Sequence, residues 1–227
     1  MLADIRLLVD DMVRDVAGRL DQASRDRAIA LAVVQYGKDV PRTRVSDLVA
    51  LPGAVGAAFV HLDLPVGWDD GASRIVTLEY PAGYMPPRIV PRHCWDLVKT
   101  PDSVVIGLPQ GLAAGETCRL TWSLPHVVSD VEDTVPETDR EALAQYAAAL
   151  LLDQVASDVS GDQSSTIKAD SVDHGATSAN FAARARTARA RYHELLGIDP
   201  KRLRPASATV APALAATTGQ RRLLWRR

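Results

Sequence analysis

With 227 residues, of which 47% are hydrophobic and 24% charged, the chain is typical of a globular protein of one or two domains. Its net charge of -2 favours no particular partner, and the two cysteines, Cys94 and Cys118, lack the spacing of a metal site or a disulfide framework. No apolar run reaches the roughly 18 residues that span a membrane. Because Asp4, Asp10 and Asp11 interrupt the N-terminal apolar pattern, we expect no signal peptide and a cytoplasmic protein.

The chain opens with the pattern of a helical hairpin. Apolar residues recur at three- and four-residue spacing across 2–18, and Gly18 marks the stop. Ser24 is predicted as the N-cap of a second helix, 25–38, which ends before Pro41. The first helix carries Leu2, Ile5, Leu8, Val9, Met12, Val13 and Val16 on its apolar face, and the second carries Ala28, Leu31, Ala32 and Gln35 on one face and Ile29, Val33 and Tyr36 on the adjoining one.

Residues 43–127 contain most of the prolines and glycines and nearly all of the short β-branched runs. This composition predicts a small antiparallel β domain inserted between helical segments. Residues 103–106 and 117–124 alternate in polarity and are predicted to pair as neighbours in a meander. The predicted strands are 43–48, 75–80, 94–99, 103–106 and 117–124, with a turn at 51–55 and a short helix or strand at 57–62.

Helix returns after Pro136. The run 142–159 is apolar on nearly every face, which favours burial among helices or between subunits. A final helix, 176–196, is predicted to end at Gly197. The sequence therefore predicts an α+β fold in which antiparallel helices form a bundle with an inserted β domain and an extended C-terminal arm. The predicted divisions are 1–42 (helical hairpin), 43–127 (β domain), 128–197 (helices completing the bundle) and 198–227 (arm).

Charge is distributed unevenly along the chain. Residues 181–227 contain eleven basic and two acidic residues, a balance of +9, so that residues 1–180 carry -11. A basic segment of this kind binds nucleic acid, an acidic protein surface or a neighbouring copy. The basic residues predicted to form a charged interface are Arg184, Arg186, Arg189, Arg191, Lys201, Arg202 and Arg204.

The chain ends in RRLLWRR, an apolar triplet between two arginine pairs. Tryptophan and arginine are enriched in binding hot spots, and an apolar triplet has no place in a purely solvating tail. This tip is therefore predicted to dock on a partner. Its residues are Arg221, Arg222, Leu223, Leu224, Trp225, Arg226 and Arg227.

Catalytic, cofactor and metal motifs are missing from the sequence. The five histidines form neither HxxxH nor HExxH, and there is no GxGxxG, Walker loop or GxSxG. Asp170, Asp173 and His174 lie close together in a polar loop, where helix capping explains them better than metal binding. Glu132 and Asp133 are interpreted as a solvated pair in an acidic linker. We expect no enzyme activity, no cofactor and no metal.

The order of these parts resembles the head–tail adaptor (head completion, or neck) proteins of tailed bacteriophages. The resemblance extends over 1–197, and the sizeable β domain departs from the smaller adaptors. The stretches that carry it are DRAIALAVVQYGKDVPR (26–42), LEYPAG (78–83), PRIVPRHCW (87–95), AGETCRLTW (114–122), AQYAAALLLDQVA (144–156), STIKADSVDH (165–174) and RARYHELLG (189–197).

The resemblance implies a structural role in the virion neck, reached by assembly in the host cytoplasm and without a membrane. It implies a homo-oligomeric ring, a dodecamer matching the portal protein, with the C-terminal arm docked on that portal. The ring would extend the DNA channel, pass genomic DNA without sequence-specific binding, and receive the next neck or tail-completion protein. Two alternatives are a DNA-binding protein that uses the basic last helix and tail, and an enzyme with a site around residues 170–174.

Overall fold

A computed structural model describes residues 2–14, 18–52, 60–101, 103–108, 113–161 and 174–199. Within these ranges the chain forms four α-helices and seven β-strands, which confirms the predicted α+β class. The elements are α1 (Leu2–Val13), α2 (Gln22–Asp39), β1 (Arg42–Val49), β2 (Leu51–Pro52), β3 (Val60–Asp63), β4 (Arg74–Glu79), β5 (Asp96–Lys99), β6 (Val104–Leu108), β7 (Thr117–Leu124), α3 (Arg140–Gly161) and α4 (His174–Leu195).

The chain divides into two compact units. The helical unit contains the described residues of 1–44, 67–74 and 122–203, and the β unit contains those of 45–66 and 75–121. All four helices belong to the helical unit, although the strands separate α2 from α3 in the sequence.

The core of the helical unit is built around α3. Ala144, Ala147 and Ala148 are fully buried there, and such small side chains allow neighbouring helices to approach closely. Helices α1, α2 and α4 all pack against α3. The apolar run 142–159 thus lies in the core of a single chain, one of the two positions that its pattern favours. No helix in the described part is long and apolar enough to cross a membrane.

Two helix ends differ from the sequence prediction. Helix α1 ends at Val13, and α2 begins three residues earlier than expected, at Gln22. The N-cap is Asp21, whose carboxylate accepts a hydrogen bond from the Ser24 amide at 2.7 Å. Ser24 was the predicted cap, but a carboxylate placed three residues before it satisfies the free amide of the first turn equally well.

The end of α4 agrees with the sequence. Gly197 has a φ of +64°, the left-handed conformation that favours glycine. The Ile198 amide donates to the His193 carbonyl at 2.8 Å, and the Gly197 amide donates to Glu194 at 3.0 Å. These two bonds form a Schellman motif, which satisfies carbonyls that the last helical turn leaves without partners.

The strands form two sheets instead of one meander. One sheet has three strands in the order β1–β7–β4, and the other has four in the order β2–β3–β6–β5. Strands β6 and β7, predicted to pair, therefore lie in different sheets, because β6 pairs antiparallel with β3 and β5. Residues 51–52 form β2 where a turn was predicted, and Arg92–Cys94 is a 3-10 turn where a strand was predicted to begin.

Candidate partner-binding surfaces

Some of the predicted sites lie in parts of the chain that the structure does not describe. They include the whole docking tip and three of the seven residues of the predicted charged interface. The loop proposed for the enzyme alternative lies there as well. These residues are Arg221–Arg227, Lys201, Arg202, Arg204, Asp170, Asp173 and the side chain of His174.

The remaining predicted basic residues lie on α4, and two of them bind backbone carbonyls. Arg184 Nη2 donates to the carbonyl oxygens of Met12 and Val13 at 3.0 and 3.1 Å. These carbonyls end α1, where the helix leaves acceptors unsatisfied and where a cation suits the helix dipole. Arg186 Nε donates at 3.3 Å to Ala182 in its own helix. Arg184 therefore joins α4 to α1.

The other two arginines of α4 bind carboxylates of the helical unit. Arg189 Nη2 donates to Asp153 of α3. Arg191 Nη1 donates to Glu194 at 2.9 Å, and its Nη2 lies 3.9 Å from Glu141. The hydrogen bond that Arg191 donates to Glu194 raises the pKa of Arg191 above its usual value. These contacts give both arginines a structural role, and their role in an interface stays a prediction.

A groove of about 630 Å³ lies between α1, α3 and α4. Its lining combines the buried Ala148 and Ala188 with the exposed Arg184 and Arg191. Its small apolar walls lie beside two guanidinium groups that already contact carbonyl or carboxylate groups of the helical unit. The remaining lining residues are Met12, Gln145, Leu152, Asn180, Ala183 and Thr187.

Helices α1 and α2 expose apolar side chains outside the predicted docking tip and charged interface. Leu7 is 66% exposed, and Leu31 and Val34 are each 57% exposed. Leu7 lies off the predicted apolar face of its helix, and Val34 lies off both predicted faces of α2. Their helical positions therefore already indicated that they point away from the core. Leu31 was placed beside Ala28 and Ala32, which are buried, whereas Leu31 itself is exposed.

Asp133 is buried, which corrects its interpretation as part of a solvated pair. Its side chain is 1% exposed, and its Oδ1 accepts a hydrogen bond from the Val135 amide at 2.9 Å. Arg140 Nη2 lies 3.1 Å from Asp133 Oδ2, without the geometry of a hydrogen bond. Glu132 is largely exposed and lies 3.8 Å from Arg42. The two neighbouring carboxylates therefore have different structural roles.

Two buried tyrosines bind carboxylates within the helical unit. Tyr36 Oη donates to Asp139 Oδ2 at 2.6 Å, and Tyr192 Oη donates to Asp39 Oδ2 at 2.7 Å. Burial, followed by these hydrogen bonds, raises the pKa of both phenols well above the usual value. Each tyrosine bonds to a distant part of the chain, so the pair stabilises the packing of helices that the strands separate in sequence.

The β unit contains a cavity of about 440 Å³ beside the turn that precedes β5. Arg92 stacks 3.9 Å above the Trp95 ring, and its Nη1 donates to the Trp95 carbonyl at 2.6 Å. Arg92 Nη2 also bonds to Asp96 at 3.2 Å. The cation and carboxylate of this cavity are thus bonded to each other. The other lining residues are His93, Cys94, Val98 and Gly107.

Two features of the described ranges concern metal binding and thiol chemistry. No group of three or more His, Cys, Asp and Glu residues there is placed to hold a metal ion. Cys118 is fully buried on β7, and burial raises the pKa of its thiol to about 11. The thiol therefore keeps its proton at neutral pH and is a poor nucleophile.

No family model matches the sequence, and no curated protein matches it. A proposal for its function therefore depends on the order of its elements and on the charges, burial and contacts of its own residues.

Proposed function

We propose that this protein is a head-to-tail adaptor of a tailed bacteriophage. Copies of it form a ring, a dodecamer matching the portal, which extends the DNA channel beneath the filled head. The C-terminal arm of each copy docks on the portal protein, and the opposite side of the ring receives the next neck or tail-completion protein. The protein then belongs to the virion neck and acts without a cofactor.

The order of elements carries this proposal. Helices α1 and α2 precede the strands, α3 and α4 follow them, and all four helices pack in one unit. The same order of a helical hairpin, a β insertion, a buried alanine-rich helix and a final helix underlies the resemblance to neck adaptors. The strands are an insertion in the helical unit, because α3 follows them in the sequence and still packs against α1 and α2, which precede them.

The distribution of charge supports a conduit more than a DNA-binding protein. Residues 1–180 carry -11, and a channel lined by such charge repels DNA and lets it slide. Three α4 arginines, Arg184, Arg189 and Arg191, already contact carbonyl or carboxylate groups of the same unit. Fewer of the cations of residues 181–227 are then available for phosphates, which favours the adaptor over the DNA-binding alternative.

The arm is the part of the proposal that one deletion tests most directly. A variant lacking residues 206–227 keeps every residue of the described fold, so its melting temperature should match that of the full chain. It should fail to attach to portal assemblies in a co-sedimentation assay. A truncated protein that joins portals normally would show that the arm is not the docking element.

A point variant separates the tip from the rest of the arm. Trp225→Ala should weaken portal binding at least about tenfold, because a tryptophan hot spot contributes about 2 kcal/mol or more. Ala215→Ser, in the small-residue stretch before the tip, serves as the matched control and should bind like the unmodified chain. Equal binding by both variants would argue against the tip as the anchor.

A further inference from the structure

The exposed face of α1 has an apolar centre and acidic ends. Asp4, Leu7 and Asp11 are spaced by three and four residues, so they share one side of the helix, and all three are exposed. Arg14 follows the helix, and its Nε donates to the Asp11 carbonyl oxygen at 3.3 Å. We call Asp4, Leu7 and Asp11 the α1 stripe. It is acidic at two points, with one large apolar side chain between them.

The exposed face of α2 has the opposite charge. Arg27, Leu31, Val34 and Lys38 are exposed and recur at three- and four-residue spacing on one side of the helix. Ala30 is exposed beside Leu31 and widens the apolar centre. We call Arg27, Leu31, Val34 and Lys38 the α2 stripe. Its apolar centre lies between two basic ends.

We infer that the α1 stripe of one copy of this chain binds the α2 stripe of a second copy. Leu7 would pack against Leu31 and Val34, which removes from water three apolar side chains that are each more than half exposed in the single chain. The two carboxylates would face the two cations around that contact. The partner of each stripe is therefore another copy of this chain, because its charges as well as its apolar side chains complement those of the stripe.

The lengths of the two stripes are compatible. At 1.5 Å per residue, Asp4 and Asp11 are about 10 Å apart along their helix axis, and Arg27 and Lys38 are about 16 Å apart. The long arginine and lysine side chains can bend inward by several ångströms to meet the shorter carboxylates. Both ends of the α2 stripe are basic, so the match holds whichever way the two helices run.

Charge disfavours the contacts between like stripes. Two α2 stripes laid together would bring Arg27 or Lys38 of one copy against a cation of the other. Two α1 stripes would bring carboxylates together. Like charges placed opposite each other oppose association, so unlike stripes are the favoured pair. A contact between two different surfaces also continues from copy to copy, and it forms a ring when the rotation between copies closes.

This inference deepens the proposed function, and the choice of a second copy as the occupant rests partly on it. It adds which surfaces of the described helices join neighbouring copies. The resemblance to neck adaptors implies a ring but says nothing about these stripes.

Charge reversal tests the contact. One variant carries Asp4→Lys with Asp11→Lys, and a second carries Arg27→Glu with Lys38→Glu. Each should associate with itself at least about tenfold more weakly than the unmodified chain in sedimentation velocity at low salt, because like charges then face each other. An equimolar mixture should regain the association, because a lysine stripe on α1 of one variant meets a glutamate stripe on α2 of the other.

The mixture makes the test independent of folding, since misfolded chains would not restore association. Asp63→Lys with Asp158→Lys changes the net charge as the Asp4→Lys, Asp11→Lys variant does, at exposed positions elsewhere, and should associate normally. The inference is overturned if the unmodified chain stays monomeric at its highest soluble concentration, if either variant associates normally, or if mixing restores nothing.

The same variants separate this inference from the proposed function. If portal attachment requires the arm but self-association is unchanged by both charge reversals, the adaptor proposal stands and the contact between the stripes is wrong. If the charge reversals weaken self-association and mixing restores it, but the chain never attaches to a portal, the contact between the stripes stands and the adaptor proposal is wrong.

Discussion

Asp133 and Arg140 show how one buried carboxylate depends on one cation. Removing charges from water is costly, and a buried pair recovers that cost only while both partners are present. The Asp133 side chain is 1% exposed, whereas Arg140 reaches partly into solvent. Removing the cation therefore leaves a buried carboxylate whose remaining partner is the Val135 amide.

We expect Arg140→Met to lower the free energy of unfolding by about 2–3 kcal/mol, somewhat less than for a fully buried pair because Arg140 is partly solvated. Urea unfolding followed by circular dichroism measures the change. Glu137→Ala is the matched control, because Glu137 lies 3.9 Å from the same guanidinium but is 89% exposed. If both variants lower the free energy of unfolding by the same amount, the burial of Asp133 does not explain the contribution of Arg140 to stability.

Tyr36 and Tyr192 predict how stability changes at high pH. Burial and the carboxylate hydrogen bonds raise the pKa of both phenols, so the folded chain keeps protons that the unfolded chain releases near pH ~10. The contribution of the two phenols to the free energy of unfolding is therefore fully present below about pH 10. Above that pH it falls by up to about 1.4 kcal/mol per pH unit for each phenol. Below that range, this contribution does not change with pH.

The double variant Tyr36→Phe with Tyr192→Phe should make this fall less steep. It should also be less stable at neutral pH by about 1 kcal/mol for each lost hydrogen bond. Urea unfolding at several pH values between 8 and 11 measures both effects. Tyr84→Phe, at an exposed position, should leave the slope unchanged. An unchanged slope in the double variant would mean that other groups cause the alkaline loss.

At the scale of elements, two glycines of the helical unit predict opposite effects of the same substitution. Gly37 lies inside α2, and a Cβ there would meet His126 at 3.6 Å, an ordinary contact. Gly197 ends α4 with a φ of +64° and has open space around it. Alanine suits a helix interior and strains a left-handed residue, so the conformation of the backbone decides the sign.

We expect Gly37→Ala to raise the free energy of unfolding by about 0.5–1 kcal/mol and Gly197→Ala to lower it by about 1–2 kcal/mol. Thermal unfolding of both variants beside the unmodified chain measures the two shifts, and each variant serves as the control for the other. A stabilised Gly197→Ala would show that the Schellman end of α4 does not form in solution.

At the scale of the whole molecule, the distribution of charge predicts weak DNA binding, as the proposed conduit requires and the DNA-binding alternative does not. For the full chain we expect duplex DNA binding no tighter than about 10⁻⁴ M near physiological salt, the weak end of non-specific binding. Fluorescence anisotropy of a labelled duplex at 50 and 200 mM salt, with the chain lacking residues 206–227 as the control, measures it. A loss of affinity of about 10³-fold between the two salts would favour the DNA-binding alternative.

The fold class, the two N-terminal helices, the buried character of α3 and the Gly197 stop follow from local patterns in the sequence. Apolar spacing and helix-end chemistry act over a few neighbouring residues, so they can be interpreted without knowing what packs nearby. The same patterns indicated that Leu7 and Val34 lie off the inner faces of their helices. The basic character of α4 and of the C-terminal tip was evident from composition alone.

Only the tertiary structure decided how distant segments combine. Strand alternation indicates that a segment is a strand but not which strand it pairs with, so it predicts one meander for β6 and β7, which lie in different sheets. The burial of Asp133 depends on Arg140 and the surrounding packing, and the use of Arg184 depends on the end of α1 reaching it. Local pattern determines the elements of this protein, whereas the partners of its strands and charges are set by contacts between residues far apart in the chain.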